Sequence, residues 1–253
     1  MLAVGFSDHI NPASHPLIAN VGLAFPIFLL INIAFLVFWL CVKKRWALIP
    51  IGGLIIGFLP IRIYSPLNLR ADAPEGCIKV IQYNVFGFNE WKDTNDQSEI
   101  INYILREKPD ILCMEESPVG TKKDLVDSAL ISILQYSDTI DNGSISIYSK
   151  YPIVGHERID YHSDNKNSSG AFFVLTAPKD TTIVIANHFE ITGLSLEQRA
   201  QFKAILKGKV EKDSMEIESK AIWRRLAESA KVRAPQADAV AEYIQQHKDK
   251  SII

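Results

Sequence analysis

Two uninterrupted apolar runs open the chain, and the pattern then changes to short alternating and helical stretches. Leu17 to Val42 carries no charged residue and exceeds the roughly 20 residues that a bilayer span needs. Lys43-Lys44-Arg45 ends it. A shorter apolar run follows from Trp46 to Ile61, where Gly52, Gly53 and Gly57 offer a small-residue face for packing on the first helix. The pattern predicts a transmembrane anchor over residues 1–64, with helices at about 17–42 and 46–61. A cleaved signal peptide fits less well, because no Lys or Arg precedes the run and the run is longer than an ordinary signal core. A buried hairpin inside a soluble core is the remaining alternative. The basic triplet predicts a cytoplasmic loop, so the later chain is expected on the non-cytoplasmic side of a multi-pass protein of the cell (inner) membrane. Arg62 and Arg70, on the outer flank, oppose that orientation.

Residues 65–76 have the Pro, Gly and polar content of a linker. From Cys77 the period shifts to that of an α/β domain, expected over 77–253. Ile78 to Val85 is rich in β-branched residues and predicts a strand. Ser98 to Glu107 puts Ile100, Ile101, Ile104 and Leu105 on one helical side, and Pro109-Asp110 ends that helix. Ile111 to Met114 predicts a second strand closing on Glu115 and Glu116. Strand, helix and strand at this length form a βαβ unit with parallel strands. A short helix is expected over Lys122 to Leu134, a turn at Asp141-Asn142-Gly143, and alternation through Ile145, Ile147 and Tyr148. Ala171 to Leu175 and Thr182 to Ala186 read as strands joined at Pro178-Lys179-Asp180.

Beyond Ser195 the chain turns helical, with Leu196, Arg199, Phe202, Ile205 and Leu206 on one face. The mixed charges of 207–220 follow. Trp223, Leu226, Val240 and Ile244 then form an amphipathic set over Ile222 to Ile244, with Pro235 as a break or a new first turn. Ser251-Ile252-Ile253 has the look of another strand beginning.

Parallel strands of a βαβ unit finish at one edge of the sheet, where open α/β sheets bind ligands. Asn84 and Glu116 would meet there. An amide oxygen beside a carboxylate is a hard oxygen pair suited to Mg²⁺, with Mn²⁺ as the alternative. The plainer reading makes Asn84 a turn cap and Glu116 a solvated acid. Alternation points Glu115 and Glu116 to opposite faces, so only one is expected to reach a site. The formal net charge of −2 supplies no general attraction to nucleic acid. Cys41, Cys77 and Cys113 lie too far apart for a metal spacing, and Cys41 and Cys113 read as packing residues. His9, His15, His156, His162 and His247 read as surface or structural residues.

The segments IKVIQYNV and PDILCMEE resemble the first two motifs of the endonuclease/exonuclease/phosphatase (DNase I-like) superfamily. NGSISIYSKYPIV resembles its strand with a Ser-Lys/Arg-x-Pro-Ile turn, and TIVIANHFE its strand ending in His. Arg233-Ala-Pro-Gln236 resembles the Arg-x-x-Gln before the next strand. The resemblance implies two packed β-sheets with outer helices, and a membrane-anchored, Mg²⁺-dependent phosphoric ester hydrolase. Asn84 and Glu116 would hold the metal, and His188 would contact the scissile phosphate. The substrate would be a nucleic acid, a phospholipid head group or a soluble phosphate ester, and no protein partner is implied. Glu115 departs from the Gln usual in that family.

Gly-Asp-x-Asn and Ser-Asp-His motifs, which the resemblance leads one to expect later, do not occur in the 253 residues. The domain is therefore expected to be incomplete at its C-terminal side and impaired in activity. The competing expectation is a non-catalytic remnant that binds or anchors.

Overall fold

A computed structural model describes the chain except for residues 69–71, 90, 92–97, 162–168, 178–179, 192–194, 196, 198, 201–202 and 205–211. The expected turn at Pro178-Lys179, His162, Arg70, and the apolar positions Leu196, Phe202, Ile205 and Leu206 lie outside the described residues. The chain forms two compact units. One comprises Met1–Asp72 with Ile191–Ala234, the other Ala73–Glu190 with Pro235–Ile253.

In the first unit, Pro16–Val42 is helical and long and apolar enough to cross a membrane. Its regular part is helix α1 (Phe25–Val42). Only 6% of its most apolar window is buried in the protein, which is not how a soluble core helix is arranged. Ile27 and Leu30 are both more than half exposed.

The second apolar run is not one straight helix. It divides into α2 (Leu48–Ile56) and α3 (Phe58–Tyr64), bent by 61°. Pro60 has no N–H to offer the carbonyl four residues back, at Ile56, so the helical ladder opens at Gly57. Asn32 Nδ2 donates to the Pro50 carbonyl at 3.1 Å and ties α1 to α2. Cys41, expected to pack, is exposed on α1.

The second unit is α/β, with two mixed four-stranded sheets. The first runs β1 (Val80–Asn84), β2 (Ile111–Glu115), β3 (Tyr136–Ile140) and β4 (Ile145–Ser149) in the order β1-β2-β4-β3. The second has the order β5-β6-β7-β8, from β5 (Ile153–Ile159), β6 (Ser169–Ala177), β7 (Asp180–Asn187) and β8 (Ser251–Ile252). β1 and β2 are parallel in the register Val80↔Ile111 to Asn84↔Glu115, as the βαβ reading requires. β8 joins β7 in parallel.

The sheets face each other through Ile111, Cys113, Ile145 and Ile147 on one side and Phe172 and Val184 on the other. On the outer face of the first sheet, Leu112 and Met114 pack under helices α4 (Glu99–Glu107) and α5 (Thr121–Leu130). Ser98 caps α4 by accepting from Ile101 N at 3.3 Å, the ordinary means of satisfying a first-turn N–H.

β3 and β5 carry no strong sequence signal. Tyr136, Ser137, Asp138 and Thr139 are mostly polar and lie on a sheet edge, where only Ile140 is fully buried. Tertiary pairing with β4 sets them as a strand. Helix α6 spans Lys212–Gln246 with Pro235 inside it, so the expected break at that proline does not occur. A missing N–H removes one ladder bond, and the good helix formers on either side sustain the rest. The boundary between the two units nevertheless falls at Pro235.

Candidate functional site

β1 and β2 end at the same rim, and the two polar side chains there meet. Asn84 Nδ2 donates to Glu116 Oε1 at 3.0 Å, while Asn84 Oδ1 accepts from Phe86 N at 3.1 Å. That second bond is an Asx turn, the local geometry an Asn side chain favours at a strand end. The amide oxygen thus serves the turn, and the amide nitrogen, not the oxygen of the expected hard pair, faces Glu116.

Strand alternation alone would have put Glu115 beside Asn84, since these two are the register partners. Glu116 reaches Asn84 because its backbone leaves the extended region, at φ +51°. Three bonds hold this left-handed turn. Gly87 N donates to Glu116 O at 2.7 Å, Glu116 N to Ser144 O at 2.9 Å, and Ser117 N to Gly143 O at 2.8 Å. Gly143 itself sits at φ +92°, and a Cβ there would press on Val119 and the Ser117 carbonyl, so the Asp-Asn-Gly turn requires its glycine.

His188 follows the last residue of β7. Its Nε2 lies 3.4 Å from the same oxygen, Glu116 Oε1. The His188 side chain is 12% exposed and that of Glu116 32%, so the carboxylate opens to solvent while the imidazole backs it. His188 Nδ1 is buried and meets no hydrogen-bond partner among the described residues. Nε2 is therefore the ring nitrogen that faces the rim. Asn84, Glu116 and His188, the three residues singled out in the sequence, thus converge on one oxygen atom.

Other members of the rim have no signal of their own in the sequence. Gln82 Nε2 donates to Glu115 Oε1 at 2.5 Å and approaches the Asn187 carbonyl at 3.5 Å. Glu115 is thereby turned away from Glu116 and engaged with Gln82. Ser169 Oγ donates to Asn187 Oδ1 at 2.5 Å and is itself bonded to the Tyr161 hydroxyl. Burial pushes the Tyr161 phenol up to about 12, against a smaller lowering by the Ser169 hydrogen bond. Gln82 shares the face of Asn84 by alternation, the one clue the sequence carried. An open groove of about 550 Å³, lined by Tyr83, Asn84, Phe86, Glu99 and Tyr103 among others, runs beside the rim.

Among the described residues no group of three or more His, Cys, Asp or Glu side chains is placed to hold a metal ion. The partly exposed Glu116 carboxylate fits Mg²⁺ in its usual sparse mode, in which water and substrate phosphate complete the shell. The Asn84 oxygen is engaged by Phe86 N, so this amide meets the carboxylate through its N–H and not as a second oxygen ligand.

The family model described as "Domain of unknown function (DUF8431)" matches residues 1–64. No curated protein matches the chain. Among solved structures, the chain is similar to an endonuclease/exonuclease/phosphatase from Beutenbergia cavernae DSM 12333, at 16% identity over 53% of this chain and 44% of that one, with a TM-score of 0.36. TDP2 from Caenorhabditis elegans gives 16% identity, 69% and 55% coverage and a TM-score of 0.39. Sphingomyelinase C from Streptomyces griseocarneus gives 14%, 44% and 49% coverage, and 0.35. The chain spans about half the length of these structures.

Proposed function

We propose that the α/β unit belongs to a metal-dependent phosphoric ester hydrolase of the endonuclease/exonuclease/phosphatase kind, tethered to a membrane by its N-terminal helices. The observation that carries the reading is the meeting of Asn84 Nδ2 and His188 Nε2 on Glu116 Oε1, at 3.0 and 3.4 Å. Glu116 is the residue that would hold a Mg²⁺ or Mn²⁺ ion, which would supply Lewis-acid polarisation of a non-bridging phosphate oxygen, and Asn84, expected as a second oxygen ligand, meets Glu116 through its N–H instead.

His188 Nε2, backed by buried surroundings, is the donor for an oxygen of the same phosphate. Donors aimed at developing charge contribute about 3 kcal/mol in comparable oxyanion sites. Asn84 orients the Glu116 carboxylate. Water supplies the new P–O bond as the ester P–O bond breaks, so the substrate is a phosphate ester: a nucleic acid, a phospholipid head group or a soluble ester. The groove beside Asn84 gives the remainder of the substrate room.

The full chain in detergent, given bis(p-nitrophenyl) phosphate and Mg²⁺, tests this. Glu116→Ala and His188→Ala should each lower turnover by roughly 10²- to 10³-fold. Turnover unchanged in either variant, or absent from the parent together with absent Mg²⁺ binding, sinks the hydrolase and leaves an anchoring or binding module.

The tether is read as two spans, α1 and the bent pair α2–α3, with Lys43-Lys44-Arg45 cytoplasmic and the α/β unit on the non-cytoplasmic side of the cell membrane. Cys77 is exposed, so a membrane-impermeant maleimide should label it in intact cells stripped of any outer barrier. Labelling only after lysis reverses the orientation.

A further inference from the structure

His188 has few polar contacts of its own. Nε2 approaches Glu116, but Nδ1 meets no hydrogen-bond partner among the described residues, so no hydrogen bond there fixes the rotation of the ring. The segment that carries it is fastened at each neighbouring residue instead. On one side, Asn187 is bonded by Ser169 and pairs across the sheet with it. Next, Phe189 packs with Ile159, Tyr161 and Val240. On the other side, Glu190 N donates to Gln236 Oε1 at 2.9 Å.

Gln236 is unusual among these. It is 0% exposed, on α6 beside Pro235, and its Nε2 has no partner among the described residues. A buried amide with an idle donor is costly, by about 1–3 kcal/mol for the unmade bond. An apolar side chain of the same volume would avoid that cost but would leave Glu190 N without an acceptor. The contact to Glu190 is thus the one bond that a Gln at this position makes and a Met could not.

We propose that Gln236 is a positioning residue for His188: by holding the Glu190 amide it fixes the main chain just past the imidazole and so keeps Nε2 facing Glu116. The proposal rests on the reading of His188 as the phosphate-facing donor, but its geometry can be measured without turnover. Displacement of a reacting group by about 1 Å can cost some 10²-fold in rate. Gln236 acts at one remove, so Gln236→Met should lower kcat roughly tenfold or more and leave KM nearly unchanged.

The experiment is a double-mutant cycle on the full chain in detergent, joined to NMR of the His188 ring and hydrogen exchange at the Glu190 amide. In the His188→Ala background, Gln236→Met should cause no further loss, since residues acting through one group are not additive. In the parent background it should shift the His188 Cε1–H resonance and speed exchange at Glu190 by about tenfold. Tyr243→Phe, which removes the bond from the same helix to Glu157 and keeps the ring, should leave the His188 resonance in place.

Losses that multiply in the double variant, a His188 resonance unmoved by Gln236→Met, or one moved equally by Tyr243→Phe, would overturn the proposal. If Gln236→Met does not fold, Gln236→Asn, one methylene short of Glu190, is read by the same criteria. Should the parent chain prove inactive and bind no Mg²⁺, the hydrolase reading fails, while the resonance and exchange measurements still decide the role of Gln236.

Discussion

Glu116 combines a strained backbone with a site carboxylate, and the two can be separated by comparing Glu116→Gly with Glu116→Ala. Its φ of +51° lies where a residue with a Cβ is disfavoured by about 1–2 kcal/mol. Both substitutions delete the carboxylate, the bond to Asn84 and the approach to His188, so those losses cancel in the comparison. What remains is the backbone. Alanine keeps the Cβ and the strain, whereas glycine relieves it and in turn loses more freedom on folding, by roughly 0.5–1 kcal/mol.

The bonds from Gly87 N, and to Ser144 O, hold the turn in place whichever residue occupies it, so neither variant can relax to an extended strand cheaply. Glu116→Gly should therefore be more stable than Glu116→Ala by about 1 kcal/mol, the reverse of the order found in a helix interior. Urea titration of the full chain in micelles, read by pulse proteolysis of the α/β unit, measures the difference. Turnover should be lost equally in both. An alanine variant as stable as the glycine one would show that the left-handed turn is not imposed by its surroundings, and the account of how Glu116 reaches Asn84 would fall with it.

Alkaline pH offers a second test. The Tyr161 phenol stands above its unfolded value near 10, at about 12, so its contribution to stability is complete below about pH 10 and is lost between 10 and 12. Tyr161→Phe should flatten the fall of stability across that window, and an unchanged slope would refute the assignment; Tyr148, raised by burial and by Asp127, acts in the same direction. A methyl group at Gly170 would collide with Ile140 Cδ1 in the space between the sheets. Gly170→Ala should accordingly destabilise by about 1–3 kcal/mol, measured by urea midpoint, and a neutral result would mean that this layer is looser than described. Phe172, fully buried there, should cost about 3–5 kcal/mol on truncation to Ala in the same assay.

The elements that were legible in the sequence are those whose own residues decide them. Ile100, Ile101, Ile104 and Leu105 recur at helical spacing, and Ser98 supplies the cap. Ile111 to Met114 is buried on both faces and reads as a continuous apolar run. The elements that were not legible owe their form to neighbours: β3 is polar and becomes a strand by pairing with β4, and α6 runs through Pro235 although the proline suggested a stop. The second apolar run had the composition of a span, yet Gly57 and Pro60 together bend it.

The site divides along the same line. Strand-end chemistry named Asn84 and Glu116, because an amide or an acid closing an apolar strand falls at a sheet rim, while His188 was named by the resemblance of TIVIANHFE to a family strand. Residue order along the chain, and the parallel pairing that a βαβ unit enforces, were enough to bring Asn84 near the end of β2. Glu116 was the expected partner, but the backbone turn that brings it there in place of Glu115, the register partner of Asn84, was beyond that reading. Only the folded rim decides for Glu116, through backbone bonds from Gly87 and to Ser144, residues distant in sequence whose positions depend on how the loops close. The burial of Gln236 against the Glu190 amide is of the same kind: contacts between separate elements come from packing, and no local period encodes them.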